Sequence, residues 1–196
     1  MSLPERCPAA TAEITAWWRV VEMCMPSHAC SIPATFRPCG VETLDSDWDA
    51  WTAAIFVQAL RPSLVVSQEA SAAQNFQALL AADAALGAAL PQASSCASLS
   101  AGRRALLDFI PPQGAKLLER LRDAAEANDA AGHLATVFAV RANIFHIPSV
   151  QASGALLLAE CILGAGVALP AVRTAEMIRR ATEASRSARG WRLLAV

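Results

Sequence analysis

The stretch Ile147-Pro148-Ser149-Val150-Gln151-Ala152-Ser153-Gly154-Ala155-Leu156-Leu157-Leu158-Ala159-Glu160-Cys161-Ile162-Leu163-Gly164-Ala165-Gly166-Val167-Ala168-Leu169 decides how the rest of the chain is read. Pro148 suits a first helical turn and Ser149 suits a cap. From Val150 to Leu169 no basic side chain occurs, and the segment is apolar on all sides. A membrane span needs about 20 apolar residues, so length alone admits one. Gln151 and Glu160 interrupt the run, and a carboxylate near a bilayer centre is costly. The flanks carry none of the Trp, Tyr, Lys or Arg anchors that mark the two interfaces. The remaining reading is a buried central helix, about 149–169, in a helical domain. Gly154, Gly164 and Gly166 would admit close neighbours, and Glu160 must sit at the bundle edge or find a partner inside it.

Working outward, the composition agrees. The 196 residues suit one domain, and the hydrophobic fraction of 55% exceeds the usual 45–50% of soluble chains. That excess predicts a thick core or an apolar surface covered by a partner. A net charge of −1 argues against nucleic acid as a partner of the whole chain. Yet Arg173, Arg179, Arg180, Arg186, Arg189 and Arg192 face only Glu176 and Glu183 near the C-terminus, leaving a basic tail at 188–196. No apolar signal-peptide core opens the chain, and six cysteines are too few for a disulfide scaffold. Mostly buried thiols in a cytoplasmic protein are expected.

Helices are expected over 9–25, 45–60, 63–90, 99–110, 115–131, 133–145 and 172–187, separated by prolines and glycines. Trp17, Trp18, Trp48 and Trp51 read as core or interface anchors. Residues 26–45, with Pro26, Pro33, Pro38 and Gly40, form the longest irregular segment, and 92–98 reads as a small-residue loop. No five-residue alternation marks a strand. The fold class is therefore all-α, a single-domain bundle of seven to nine helices around the central one.

Chemistry finds little purchase. Cys24, His28, Cys30 and Cys39 could supply three thiolates and an imidazole to a metal, but their spacing fits no common zinc pattern. Gly164-Ala165-Gly166 lacks the lysine of a phosphate loop. Glu69, Asp83, Asp108, Glu119 and Asp129 stand singly, mostly on faces expected to be exposed, with no context that tunes an acid–base pair. His133 and His146 read as local hydrogen-bonding residues. Neither a catalytic residue nor a cofactor is expected.

The order of several segments nevertheless resembles the urease accessory protein UreF family. Val20-Val21-Glu22-Met23-Cys24 leads into Pro33-Ala34-Thr35-Phe36-Arg37-Pro38-Cys39-Gly40-Val41-Glu42-Thr43, a degenerate form of that family's signature loop. Phe36, Gly40 and Glu42 match it, whereas Arg37-Pro38-Cys39 replaces its serines and aromatic residue. Ala101 to Leu107 is similar to the family's Gly-Arg-x-Leu-Leu helix, and His133 through Phe138 and Ile147-Pro148 match weaker segments. Pro170-Ala171-Val172-Arg173-Thr174-Ala175-Glu176 looks like the segment after the family's central helix, without its Gly-Gln pairs.

The resemblance implies a non-enzymatic adaptor in urease maturation. Such an adaptor bridges a UreD/UreH-type scaffold protein and the nickel-delivering UreG-type GTPase on apo-urease, within a dimeric complex. It implies partner binding through Phe36, Arg37, Gly40 and Glu42 of the loop, and through Pro170, Arg173, Thr174, Glu176 and Arg179 of the C-terminal segment. Three other readings stand beside it: a helical interaction module unrelated to urease, a Cys/His metal module, and a membrane-associated protein using 150–169.

Overall fold

The computed structural model describes residues 8–25, 34–107, 115–165 and 169–192. Eight helices occur among them and no strand. They are α1 (Pro8–Cys24), α2 (Leu44–Ala72, π-helical over Thr52–Leu60), α3 (Phe76–Ala89), α4 (Gln92–Leu107), α5 (Lys116–Glu126), α6 (Leu134–Ile144), α7 (Ser149–Ala165) and α8 (Ala171–Arg192). The all-α bundle expected from the sequence is the observed architecture.

Two helices, not one, occupy its middle. On α7, every residue from Ala152 to Cys161 is buried, against α1, α2, α6 and α8. On α6, Leu134 through Ala142 are all buried as well, Arg141 included. This second buried helix divides the interior. Its Leu134, Phe138 and Ala142 join a larger core with α1, α2, α7 and α8, while Val137 and Val140 join a smaller one with α3, α4 and α5.

Several boundaries differ from expectation for local reasons. The helix expected over 45–60 runs on through Pro62 to Ala72, and the helix expected over 63–90 is broken at Gln74, which has φ +54°, where the Asn75 side chain accepts the Ala78 N–H at 3.0 Å and caps α3. Gln92 to Ser98 is helical, because Pro91 can open a helix and the following serines face the packing surface in part. The central helix is described to Ala165, and Leu169 lies outside it; Gly166 falls outside the described residues. The tail begins inside α8, which extends to Arg192. Helix α7 is an apolar helix of 17 residues buried from Ala152 to Cys161, whereas Leu44–Ala72 is long and apolar enough to cross a membrane, with 44% of its apolar window buried.

Buried polar groups show how the connections are held. Asp83, expected on an exposed face, is 1% exposed and accepts the Gly132 and His133 N–H groups at 2.6 and 2.9 Å. Ser98 accepts the next N–H, from Leu134, at 3.2 Å. Gly102 completes this junction: a Cβ there would run into the backbone of Gly132, His133 and Leu134. His133 is therefore a fold residue, and burial lowers its imidazole pKa against the opposing charge of Asp83. Arg141 donates to the carbonyls of Met23 and Ala105 at 3.0 and 3.4 Å, and burial lowers its pKa to about 10.

Candidate functional site

Residues 34–43 have no regular secondary structure, and their course is fixed from inside the bundle. Glu160 and Gly164 lie four positions apart on α7, hence on one helical face. The Glu160 carboxylate Oε2 accepts the N–H groups of Thr35 and Phe36 at 2.7 and 3.1 Å. A Cβ on Gly164 would meet the Phe36 carbonyl and ring, so only glycine lets the loop backbone lie this close. Glu160 thus finds its partner in the loop, not at the bundle edge. Burial raises its carboxyl from 4.5 to about 6, opposed by the two N–H groups.

The Phe36 ring is buried edge-on to Trp48, with centroids 4.9 Å apart, and Trp48 stacks on Trp51 at 5.0 Å. These two tryptophans are core residues; Trp17 and Trp18 are half-buried. Beyond Phe36 the chain turns outward, and Arg37, Gly40, Val41 and Glu42 are exposed. Asp47 closes the turn by accepting the Cys39 N–H at 2.7 Å and the Thr43 hydroxyl at 2.8 Å, which hold its carboxyl below the usual range.

Helix α8 docks beside this turn. Asp45 accepts from Arg173 at 2.7 Å and Arg180 at 3.0 Å, and Arg180 also pairs with Asp49 at 3.4 Å. Arg173 foremost holds the Asp45 carboxyl below its usual range. Between the ion pairs, the Trp48 indole N–H donates to the Met177 carbonyl at 2.9 Å. Arg173, Met177 and Arg180 therefore face α2, while Val172, Glu176 and Arg179 lie exposed on another side of the helix.

The two segments that sequence reading singled out are thus joined, although about 130 positions separate Asp45 from Arg173. Arg37, Gly40, Glu42, Pro170, Glu176 and Arg179 are exposed. Phe36 and Thr174 are buried; Phe36 anchors the loop, and Thr174 donates its hydroxyl to the Pro170 carbonyl at 3.2 Å. Arg173 is occupied by Asp45.

Sequence reading missed Asp45, Asp49 and Arg180 as clamp residues. The signal was present: acidic side chains four apart at the start of α2, and arginines seven apart on α8, each set on one helical face.

Of the metal candidates, His28 and Cys30 lie outside the described residues. Cys24 is fully buried, which pushes its thiol up to about 12 and disfavours the thiolate a metal needs; Cys39 is exposed. Among the described residues, no three His, Cys, Asp or Glu side chains are grouped to hold a metal.

Compared with protein-family models, curated proteins and solved structures, the chain matches none of them.

Proposed function

We propose that this chain is a non-enzymatic adaptor whose working surface is the composite face made by the 37–43 turn and the outer side of α8. The supporting observation is the clamp of Asp45 and Asp49 on Arg173 and Arg180, reinforced by Trp48 on Met177. It ties two distant segments together and leaves Arg37, Glu42, Glu176 and Arg179 pointing away from the core as a mixed-charge rim. Surface ion pairs stabilise a fold by only about 0–1 kcal/mol each. Their effect here is geometric, fixing the relative position of two surfaces that one partner, or two adjacent ones, would read together.

Following the UreF-like order of segments, the partners are a UreD/UreH-type scaffold protein and a UreG-type GTPase. The setting is cytoplasmic maturation of apo-urease, and the adaptor acts as a homodimer within that complex. Co-purification with the two partners tests the reading. Arg37→Glu combined with Arg179→Glu should abolish capture while leaving the unfolding midpoint within experimental error, since exposed substitutions change stability by about 0.5 kcal/mol or less. Failure of the wild-type chain to capture either protein removes the urease assignment. Undiminished capture by the double variant removes this face.

A further inference from the structure

The loop that leads to the docking turn is tied to α7 through a carboxylate with no cation paired to it. Glu160 is 1% exposed, and its Oε2 accepts the N–H groups of Thr35 and Phe36. The helices packed against α7 are α1, α2, α6 and α8. From α1 comes the buried Cys24 thiol, raised to about 12 by burial, while Arg19 and Glu22 are exposed. From α6 comes Arg141, which donates to the Met23 and Ala105 carbonyls. From α2 and α8 come Asp45 and the two arginines joined to it, Arg173 and Arg180. Burial foremost raises the adjacent Cys161 thiol, on which Asp45 and Arg173 oppose each other. The other charged side chains described on α2 and α8 lie exposed or half-buried at the surface. Among the described residues, none forms an ion pair with Glu160.

An ionised carboxylate in this position has exchanged water for amide donors, which compensate only part of its lost hydration. Moving residues 34–36 off α7 readmits water to it, so ionisation favours opening. The neutral acid has no such drive. Linkage gives the same direction: burial raises the carboxyl from 4.5 to about 6, so the closed junction holds the proton more tightly than an opened one. Closure is fully favoured below pH 4.5 and loses that advantage as pH rises through about 6. Asp47 keeps Cys39 and Thr43 on α2 independently, so the part that opening sets free is the one bearing Arg37.

We infer that Glu160 is a proton-controlled latch: with its proton it holds 34–36 against α7, and without it that segment opens locally and releases Arg37 from its fixed place. That Arg37 belongs to a docking face rests on the proposed function; the latch itself does not.

Amide exchange of the full chain without partners, from pH 4.5 to 7.5 and corrected for the intrinsic rate, tests this. Protection at Thr35 and Phe36 should fall about thirtyfold over that range, the ratio that a rise from 4.5 to about 6 implies. The fall should persist in low denaturant, because a local opening exposes little surface, whereas global unfolding is denaturant-sensitive. Glu160→Gln should abolish the pH dependence, whatever protection it leaves. Protection that does not vary with pH overturns the latch, as does the same pH dependence in Glu160→Gln. So does exchange at 35–36 that matches the buried α6 amides in rate and denaturant response at every pH. Because no partner is present, failure here leaves partner capture to its own test.

Discussion

The two halves of the interior solve one problem with the same two residue types, a carboxylate and a glycine, set on the single helix α7 in one half and on α3 and α4 in the other. In each, an irregular segment must lie against helix with its backbone N–H groups buried. At one end Glu160 and Gly164 receive Thr35 and Phe36; at the other Asp83 and Gly102 receive Gly132 and His133. A carboxylate satisfies two consecutive donors, and a glycine removes the side chain that would hold the backbone away.

The difference lies in where each junction sends the chain. After His133 it enters α6 and stays buried. After Phe36 it emerges as the exposed turn that α8 joins. One junction closes the core, and the other presents a surface.

The largest expected effects come from breaking either junction. Glu160→Ala and Asp83→Ala each leave two buried N–H groups without an acceptor and should cost about 3 kcal/mol or more in denaturant unfolding. The damage should stay local to the junction that is broken. Hydrogen exchange should accelerate at 35–36 in the first variant and at 132–133 in the second, and a common pattern would show that the junctions are not separate.

Next in size are the glycines. Gly164→Ala and Gly102→Ala should each cost about 1–3 kcal/mol by overpacking. Only Gly164→Ala should also reduce partner capture, because it displaces the loop that leads to Arg37 and Glu42.

Stability should also depend on pH. The Glu160 carboxyl is raised in the folded state, so the folded protein holds this proton more tightly than the unfolded chain does. Its contribution is full below pH 4.5 and is lost as pH rises through about 6. The change amounts to about 2 kcal/mol. The stability difference between wild type and Glu160→Gln should shift by that amount across the window, in favour of the glutamine variant at higher pH. A difference that does not vary with pH would contradict the assigned environment.

The smallest effect belongs to the surface clamp. Arg173→Ala should lower stability by less than about 1 kcal/mol, since Asp45 keeps Arg180. It should weaken partner capture far more than that figure suggests.

The sequence made most helices legible through Pro91, Pro148 and Pro170 between them and the absence of two-residue alternation, whereas Pro62 lies inside α2. It made α7 legible through an apolar run containing one carboxylate. It concealed the all-round burial of α6, expected as a helix over 133–145, because its buried Thr136 and Arg141 look like polar positions of an ordinary amphipathic helix. It concealed Asp83 because the alanines around it define no wet or dry face: Ala81, Ala82, Ala84 and Ala85 flank it on every side. The docking face was half legible. Both segments were visible, but the contact between them depends on an ion-paired clamp that spacing could suggest and only packing could place.

The central claim is that residues 37–43 and the outer side of α8 form one docking face. Hydrogen exchange of the chain with and without the scaffold protein and GTPase tests it most directly. The account predicts protection gained together over 37–43 and 170–180, with the Asp83 junction unchanged. Protection of one segment without the other, or protection confined to the α3–α5 half, would contradict it.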